Sequence, residues 1–148
     1  MEIHINEHKP CYQGRDKEIV SKDKRSPSTH IGVNEQFHQI RKFHIDGDVL
    51  PEGEVPSRCD YLILNDTAKR AYFIELKGRH NVKHGTEQVD ATVSMVKGLK
   101  GYTIFCRVVH KKGTHNVTDS DRTRWKNKYH GRAEVVPTPF KESICHGK

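Results

Sequence analysis

No stretch of this sequence is long and apolar enough to span a membrane; the longest apolar runs, such as Tyr102 to Cys106, are strand-sized. The N-terminus, Met1-Glu2-Ile3-His4, lacks a basic start followed by an apolar stretch, so no secretory leader is expected and a cytoplasmic location is the default. The four cysteines, Cys11, Cys59, Cys106 and Cys145, lie far apart without the CxxC spacing of structural zinc. Free thiols are expected, with Cys59 and Cys106 serving as small hydrophobes in strand-like segments. The eleven histidines are scattered, and no HExxH or similar pattern is present. There is no internal repeat and no low-complexity tract.

What is present is a lean, basic chain of 148 residues, 33% hydrophobic and 30% charged, with a formal net charge of +7. That length suits one compact domain with a single core and a single site. The positive charge favours a polyanionic partner through Coulombic attraction and counterion release. Charge alone identifies no partner, since many basic proteins bind no nucleic acid.

Residues 1–30 are highly charged and are expected to be partly mobile, with a short helix around Asp16 to Lys24 and a turn or loop at Lys22 to Ser28. Alternation from Glu35 to Asp46 predicts a first core strand, ended by the turn former Asp46-Gly47-Asp48. After a loop containing Pro51, Gly53 and Pro56, Cys59 to Leu64 reads as a second strand and Ala71 to Lys77 as a third. The turn formers Asn65-Asp66-Thr67 between them make the two a hairpin.

Val82, Val89, Val93 and Val96 recur at helical spacing and predict an amphipathic helix over about residues 82–97, which Gly85 weakens. Tyr102 to Val109 is a fourth, interior strand. Asp119 or Ser120 caps a C-terminal helix that carries Trp125 and Tyr129 and ends near Gly131. Ala133 to Val136 is a last strand, which Pro137 and Pro139 assign to a sheet edge. The fold class is therefore mixed α/β.

Side chains alternate faces along a strand, so Asp60, Leu62 and Leu64 share one face, as do Phe73, Glu75 and Lys77 on the next strand. A hairpin closing symmetrically about Thr67 and Ala68 sets Asp60 opposite Glu75. Opposed residues have Cβ atoms about 5 Å apart, and two carboxylates that close repel unless a cation lies between them. Mg²⁺ or Mn²⁺ suits such a site: hard oxygen ligands from Asp60, Glu75 and the Leu76 carbonyl leave positions for water and phosphate. Lys77, on the same face, can orient an attacking water or offset charge on the transition state. An acid two residues from a lysine is common, and Glu7-His8-Lys9 has the same pattern without evident meaning. The placement of Glu75 and Lys77 at the end of an apolar strand, with Asp60 in matching register, separates them from that background.

These residues resemble the PD-(D/E)XK nuclease superfamily, whose signature is an acid at the start of one strand and Glu-X-Lys in the next, here Asp60 and Glu75-Leu76-Lys77. The resemblance covers about residues 35–110. It implies a restriction-endonuclease-like α-β-β-β-α-β core, here followed by the C-terminal helix and edge strand, and a Mg²⁺- or Mn²⁺-dependent endonuclease acting on DNA. Gln88 is similar to a glutamine that often faces the site from the following helix. The usual proline before the first acid is replaced by Cys59. The glutamate often supplied by the first helix has two candidates, Glu18 and Glu35.

Gln88 and His84 share a helical face, whereas His84 and His80 are expected at the solvated surface. Arg79, Lys83, Lys111, Lys112, Arg122 and Arg124 are candidate contacts to a phosphate backbone. Specificity would come from nucleic-acid structure, from homodimerisation or from a partner protein. Two other readings remain at this point: a nucleic-acid-binding module that kept the fold and lost catalysis, and an assembly subunit whose charge serves solubility.

Overall fold

The computed structural model describes residues 1–79, 81–113 and 115–147. The chain opens with β1 (Ile3–His4), a 3-10 turn (Ile5–Glu7) and β2 (Tyr12–Gly14), followed by a hairpin of β3 (Glu18–Asp23) and β4 (Ser26–Val33). Next come β5 (Ile40–His44), β6 (Tyr61–Asn65), β7 (Arg70–Leu76), helix α1 (Val82–Met95) and β8 (Val96–Lys97). The chain continues through β9 (Thr103–His110), helix α2 (Asp119–Lys128), β10 (Ala133–Pro137) and β11 (Phe140–Ser143).

A six-stranded sheet of order β10-β9-β7-β6-β5-β2 forms the centre. Strands β5, β6 and β7 are antiparallel neighbours, while β9 and β10 add in parallel, with α1 bridging β7 to β9 as the crossover. A three-stranded sheet, β11-β4-β3, and a two-stranded pair, β1-β8, complete a mixed α/β molecule. Among the described residues no helix is long and apolar enough to cross a membrane.

Period-two alternation divides the central sheet between two cores. Leu62, Leu64, Ala71 and Phe73 pack with Val82 and Val89 of α1 and Trp125 of α2, whereas Ile63, Tyr72, Ile74 and Leu76 pack with Ile19 and Ile144 on the other face. Burial on both faces explains why β6 and β7 read as continuous apolar runs. The second face also holds a buried polar group: Arg107 donates to Glu142, which is met by His30 Nε2 at 2.8 Å.

The N-terminal region differs from expectation. Asp16 to Lys24 is not a helix; Glu18–Asp23 is strand β3, with Ile19 and Ser21 inward and Val20 and Lys22 outward. That period-two burial, and pairing with β4, outweigh the weak helical tendency of so short a segment. Lys42 Nζ donates to the Val20 carbonyl at 2.8 Å and Tyr61 Oη to that of Lys22 at 2.6 Å, tying β3 to the central sheet. Among the described residues the 3-10 turn is the one helical element ahead of β5, so the first helix of the expected core order is missing and a small sheet covers that face.

Smaller differences concern boundaries. The first core strand shortens to Ile40–His44, because Phe37 adopts a left-handed conformation (φ 52°) and ends the extended run. The α2 cap is Thr118, whose hydroxyl accepts from the Asp121 N–H while Asp121 returns a bond to the Thr118 N–H, a reciprocal capping box. Strand β10 does lie at a sheet edge, and β11 is an additional strand that pairs in parallel with β4.

Candidate active site

Hairpin β6–β7 pairs Tyr61 with Ile74 and Asn65 with Arg70, a register centred between Thr67 and Ala68. Asp60 stands one residue outside the paired run; its N–H donates to Ile74 O (3.1 Å) and its Oδ2 accepts the Leu76 N–H (2.9 Å). This brings the Asp60 and Glu75 carboxyls within hydrogen-bonding reach of each other on the sheet face that meets α1. Both are nearly enclosed, at 5% and 4% exposure.

Lys77 leaves the end of β7 on the same face, its Nζ 3.2 Å from Glu75 Oε2. The other oxygen, Glu75 Oε1, is buried without a hydrogen-bond partner among the described residues. The Lys77 backbone is anchored on both sides: its N–H donates to Val109 O at 2.8 Å, and the Ser28 hydroxyl donates to its carbonyl. Helix α1 lies hard against this strand end through Gly85. A Cβ there would sit 3.0 Å from Val108 Cγ1 and 3.4 Å from both Glu75 Cγ and Lys77 Cε. The helix-weakening glycine is thus a position where α1 packs close against the site.

Burial pushes the Asp60 carboxyl up to about 6, with the Leu76 N–H opposing the shift and Asp23 and Asp46 adding to it. Glu75 is raised well above the ordinary range, first by burial and then by the Asp60 charge, against the pull of Lys77. Two acids held this way favour a shared proton or a cation between them.

The carboxyls form the floor of a cleft of about 670 Å³ lined also by Asp23, Arg25, Asp46, Arg58 and Gln88. Gln88 does face the cleft: its Nε2 donates to Arg58 O at 3.1 Å, and one turn later the Thr92 hydroxyl accepts the Cys59 N–H at 2.7 Å. Helix α1 therefore grips the segment that delivers Asp60. Gln88 Oε1 is buried and has no hydrogen-bond partner among the described residues. His84 lines the cleft yet remains largely exposed beside Glu87, and His80 lies outside the described residues.

Asp23, Arg25, Asp46 and Arg58 were not marked by the sequence pattern. Arg58 is a buried guanidinium that donates to Asp46 Oδ1 (3.2 Å) and to the carbonyls of Pro51 (2.7 Å), Val55 (2.9 Å) and Pro56. It pins the loop before β6 into one wall of the cleft. The sequence signal was slight: an arginine beside Cys59-Asp60 among turn-forming residues.

Glu18 and Glu35 do not join the site. Glu18 pairs with Lys141, and Glu35 accepts the Ser143 hydroxyl at 2.6 Å. The strand geometry of β3 instead brings Asp23 to the cleft. The candidate phosphate contacts lie outside the cleft lining. Arg79 is exposed beside Gly113, near exposed Lys111 and Lys112. Lys83 and Arg124 both pair with Asp121, and Arg122 meets His115 Nε2 at 3.0 Å.

Among the described residues no group of three or more His, Cys, Asp or Glu side chains is arranged to hold a metal ion. The donor set is two hard carboxylates with an orphaned oxygen, with Leu76 between Glu75 and Lys77 in the lining. That set fits a small divalent cation that keeps much of its water, and it does not fit a closed zinc cage. No protein-family model, no curated protein and no solved structure matches the chain.

Proposed function

We propose that this protein is a metal-dependent phosphodiesterase of the PD-(D/E)XK type, acting on DNA. The observation that carries the reading is the convergence of Asp60, Glu75 and Lys77 on one cleft floor, with Glu75 Oε1 buried and without a hydrogen-bond partner among the described residues. Paired buried carboxyls with raised proton affinity beside a lysine are a costly arrangement for structure alone and a useful one for binding a cation next to a phosphate.

In this reading Asp60 and Glu75, with the Leu76 carbonyl, would hold Mg²⁺ or Mn²⁺, and the ion would supply Lewis acidity toward a phosphoryl oxygen. Lys77 orients the attacking water and offsets charge on the phosphoryl oxygens as the new P–O bond forms. The P–O bond to the departing sugar breaks, and the water's proton leaves to solvent while the departing oxygen takes one up. Gln88 and Thr92 keep the Arg58–Asp60 segment seated against α1, and the open Gln88 Oε1 can accept from a cleft water.

The test is cleavage of supercoiled, linear duplex and single-stranded DNA with Mg²⁺, Mn²⁺ or EDTA, comparing the native chain with Lys77→Ala. Metal-dependent cutting lost in the variant supports the reading. Binding without cutting, unchanged by Glu75→Gln and by metal, points instead to a nucleic-acid-binding module.

A further inference from the structure

The cationic groups lining the cleft differ in what they can give to a ligand. Arg58 is 4% exposed and spends its donors on Asp46 and loop carbonyls, and Lys77 is paired with Glu75 over the floor. Arg25 is different: its side chain is 60% exposed, and it stands at the tip of the β3–β4 hairpin on the rim of the same cleft. Its guanidinium rests on carboxylates from three separate segments, Asp46 at 3.4 Å, Asp23 at 3.6 Å and Glu52 at 3.7 Å. Pairs of this length, solvent-exposed on the arginine side, hold weakly even though Asp46 and Asp23 are themselves largely enclosed.

Each of these carboxylates keeps another contact or solvent when Arg25 leaves, although Asp46 Oδ2, which lines the cleft, gives up the bond from Arg25 Nη2 at 3.4 Å. Asp46 Oδ1 is held by Arg58 and by the Gly53 N–H at 3.2 Å. Asp23 Oδ1 accepts the backbone N–H of Arg25 at 3.1 Å, a bond that stays when the side chain moves. Glu52 is 71% exposed and is solvated when unpaired. The guanidinium can therefore leave all three without stranding a buried charge. A phosphate diester offers it a better partner, since two N–H groups of the planar fork match two anionic oxygens.

We propose that Arg25 is the phosphate-contacting residue of the cleft: it rests on Asp23, Asp46 and Glu52 in the free protein and transfers to a backbone phosphate of the bound nucleic acid. This assignment rests on the phosphodiesterase reading, and it adds a residue outside the Asp60, Glu75 and Lys77 set. Glu52 then acts as an internal competitor for the same cation.

The test is binding of a fluorescein-labelled DNA oligonucleotide, across a salt series, to the full chain carrying Lys77→Ala so that the probe stays intact. Adding Arg25→Ala should weaken binding roughly tenfold and lower the slope of log K against log salt by about 0.7 to 0.9, the loss of one phosphate contact. Arg25→Lys should keep the slope and recover part of the affinity, and Glu52→Gln should tighten binding. In the otherwise native chain, Arg25→Ala should raise KM more than it lowers kcat. A native chain that cuts DNA, with salt slope and KM unchanged by Arg25→Ala, overturns this assignment alone. Weakening by Arg25→Ala and Glu52→Gln in parallel, each with a lowered Tm, also overturns it and makes Arg25 a structural latch. A native chain that neither binds nor cuts overturns the phosphodiesterase reading and this assignment with it.

Discussion

Glu75 and Lys77 meet at 3.2 Å through Oε2 and Nζ, while the second oxygen of the same carboxylate, Oε1, is buried with no hydrogen-bond partner among the described residues. A half-satisfied carboxylate in a buried position costs free energy. In the proposed reading that cost would fall when a cation met the free oxygen, and the Asp60 carboxyl within reach would give it a second ligand.

Metal binding is therefore expected to stabilise the fold. In a thermal melt at pH 8, Mg²⁺ or Mn²⁺ at a hundredfold excess over its Kd should add about 2.7 kcal/mol. Glu75→Gln should abolish the Tm increment. A native Tm indifferent to both ions up to tens of millimolar would remove the metal from this site.

Asp60 gives stability a pH dependence of definite sign. Its carboxyl is raised by burial from 3.8 to about 6, so the folded state binds the proton more tightly than the unfolded chain. The resulting penalty is absent below the unfolded value, grows as pH rises between the two and is complete above the folded one. Asp60→Asn, which can still accept the Leu76 N–H, should be more stable than the native protein at pH 7 to 8 without metal, by on the order of 2 to 3 kcal/mol. The difference should shrink as pH falls and vanish below about pH 3, as read by denaturant unfolding at each pH.

At Gly85 the missing side chain matters more to the site than to the helix. Alanine would gain about 1 kcal/mol of helix propensity but must press on Val108 Cγ1 at 3.0 Å, so its net effect on Tm should be small. Gly85→Leu should cost about 1 to 3 kcal/mol by overpacking, and it should lower cleavage more than 10-fold by displacing Glu75 and Lys77, a loss on the order of 1.4 kcal/mol or more in the barrier. Parallel stability and activity measurements check both effects.

Arg58→Met removes a buried guanidinium but leaves Asp46 and three loop carbonyls behind. Stranding that set should destabilise the protein by about 3 to 5 kcal/mol. Limited proteolysis should show early cleavage within residues 51–57. Resistance equal to that of the native chain would show that the loop holds its shape without Arg58.

Much of the hairpin was legible because its determinants are local. Two short apolar runs, Leu62–Leu64 and Ala71–Ile74, joined by turn formers at Asn65-Asp66-Thr67, set a register from which the facing of Asp60 and Glu75 follows. Helix α1 was legible from Val82 and Val89, and the edge position of β10 from Pro137 and Pro139. By itself, then, the sequence determined which two carboxyls and which lysine share a face.

Tertiary structure alone decided the rest. Glu18–Asp23 is short enough to suit either period, and its partner strand β4 made it extended. That choice carried Asp23 and Arg25 to the cleft, where Asp46 and Arg58 arrive from other segments. No local spacing encodes such a meeting, because contacts between distant segments are set by which faces bury together. Gly85 shows the same division: its cost to the helix is visible in sequence, while the close approach it permits exists only once α1 lies on β7.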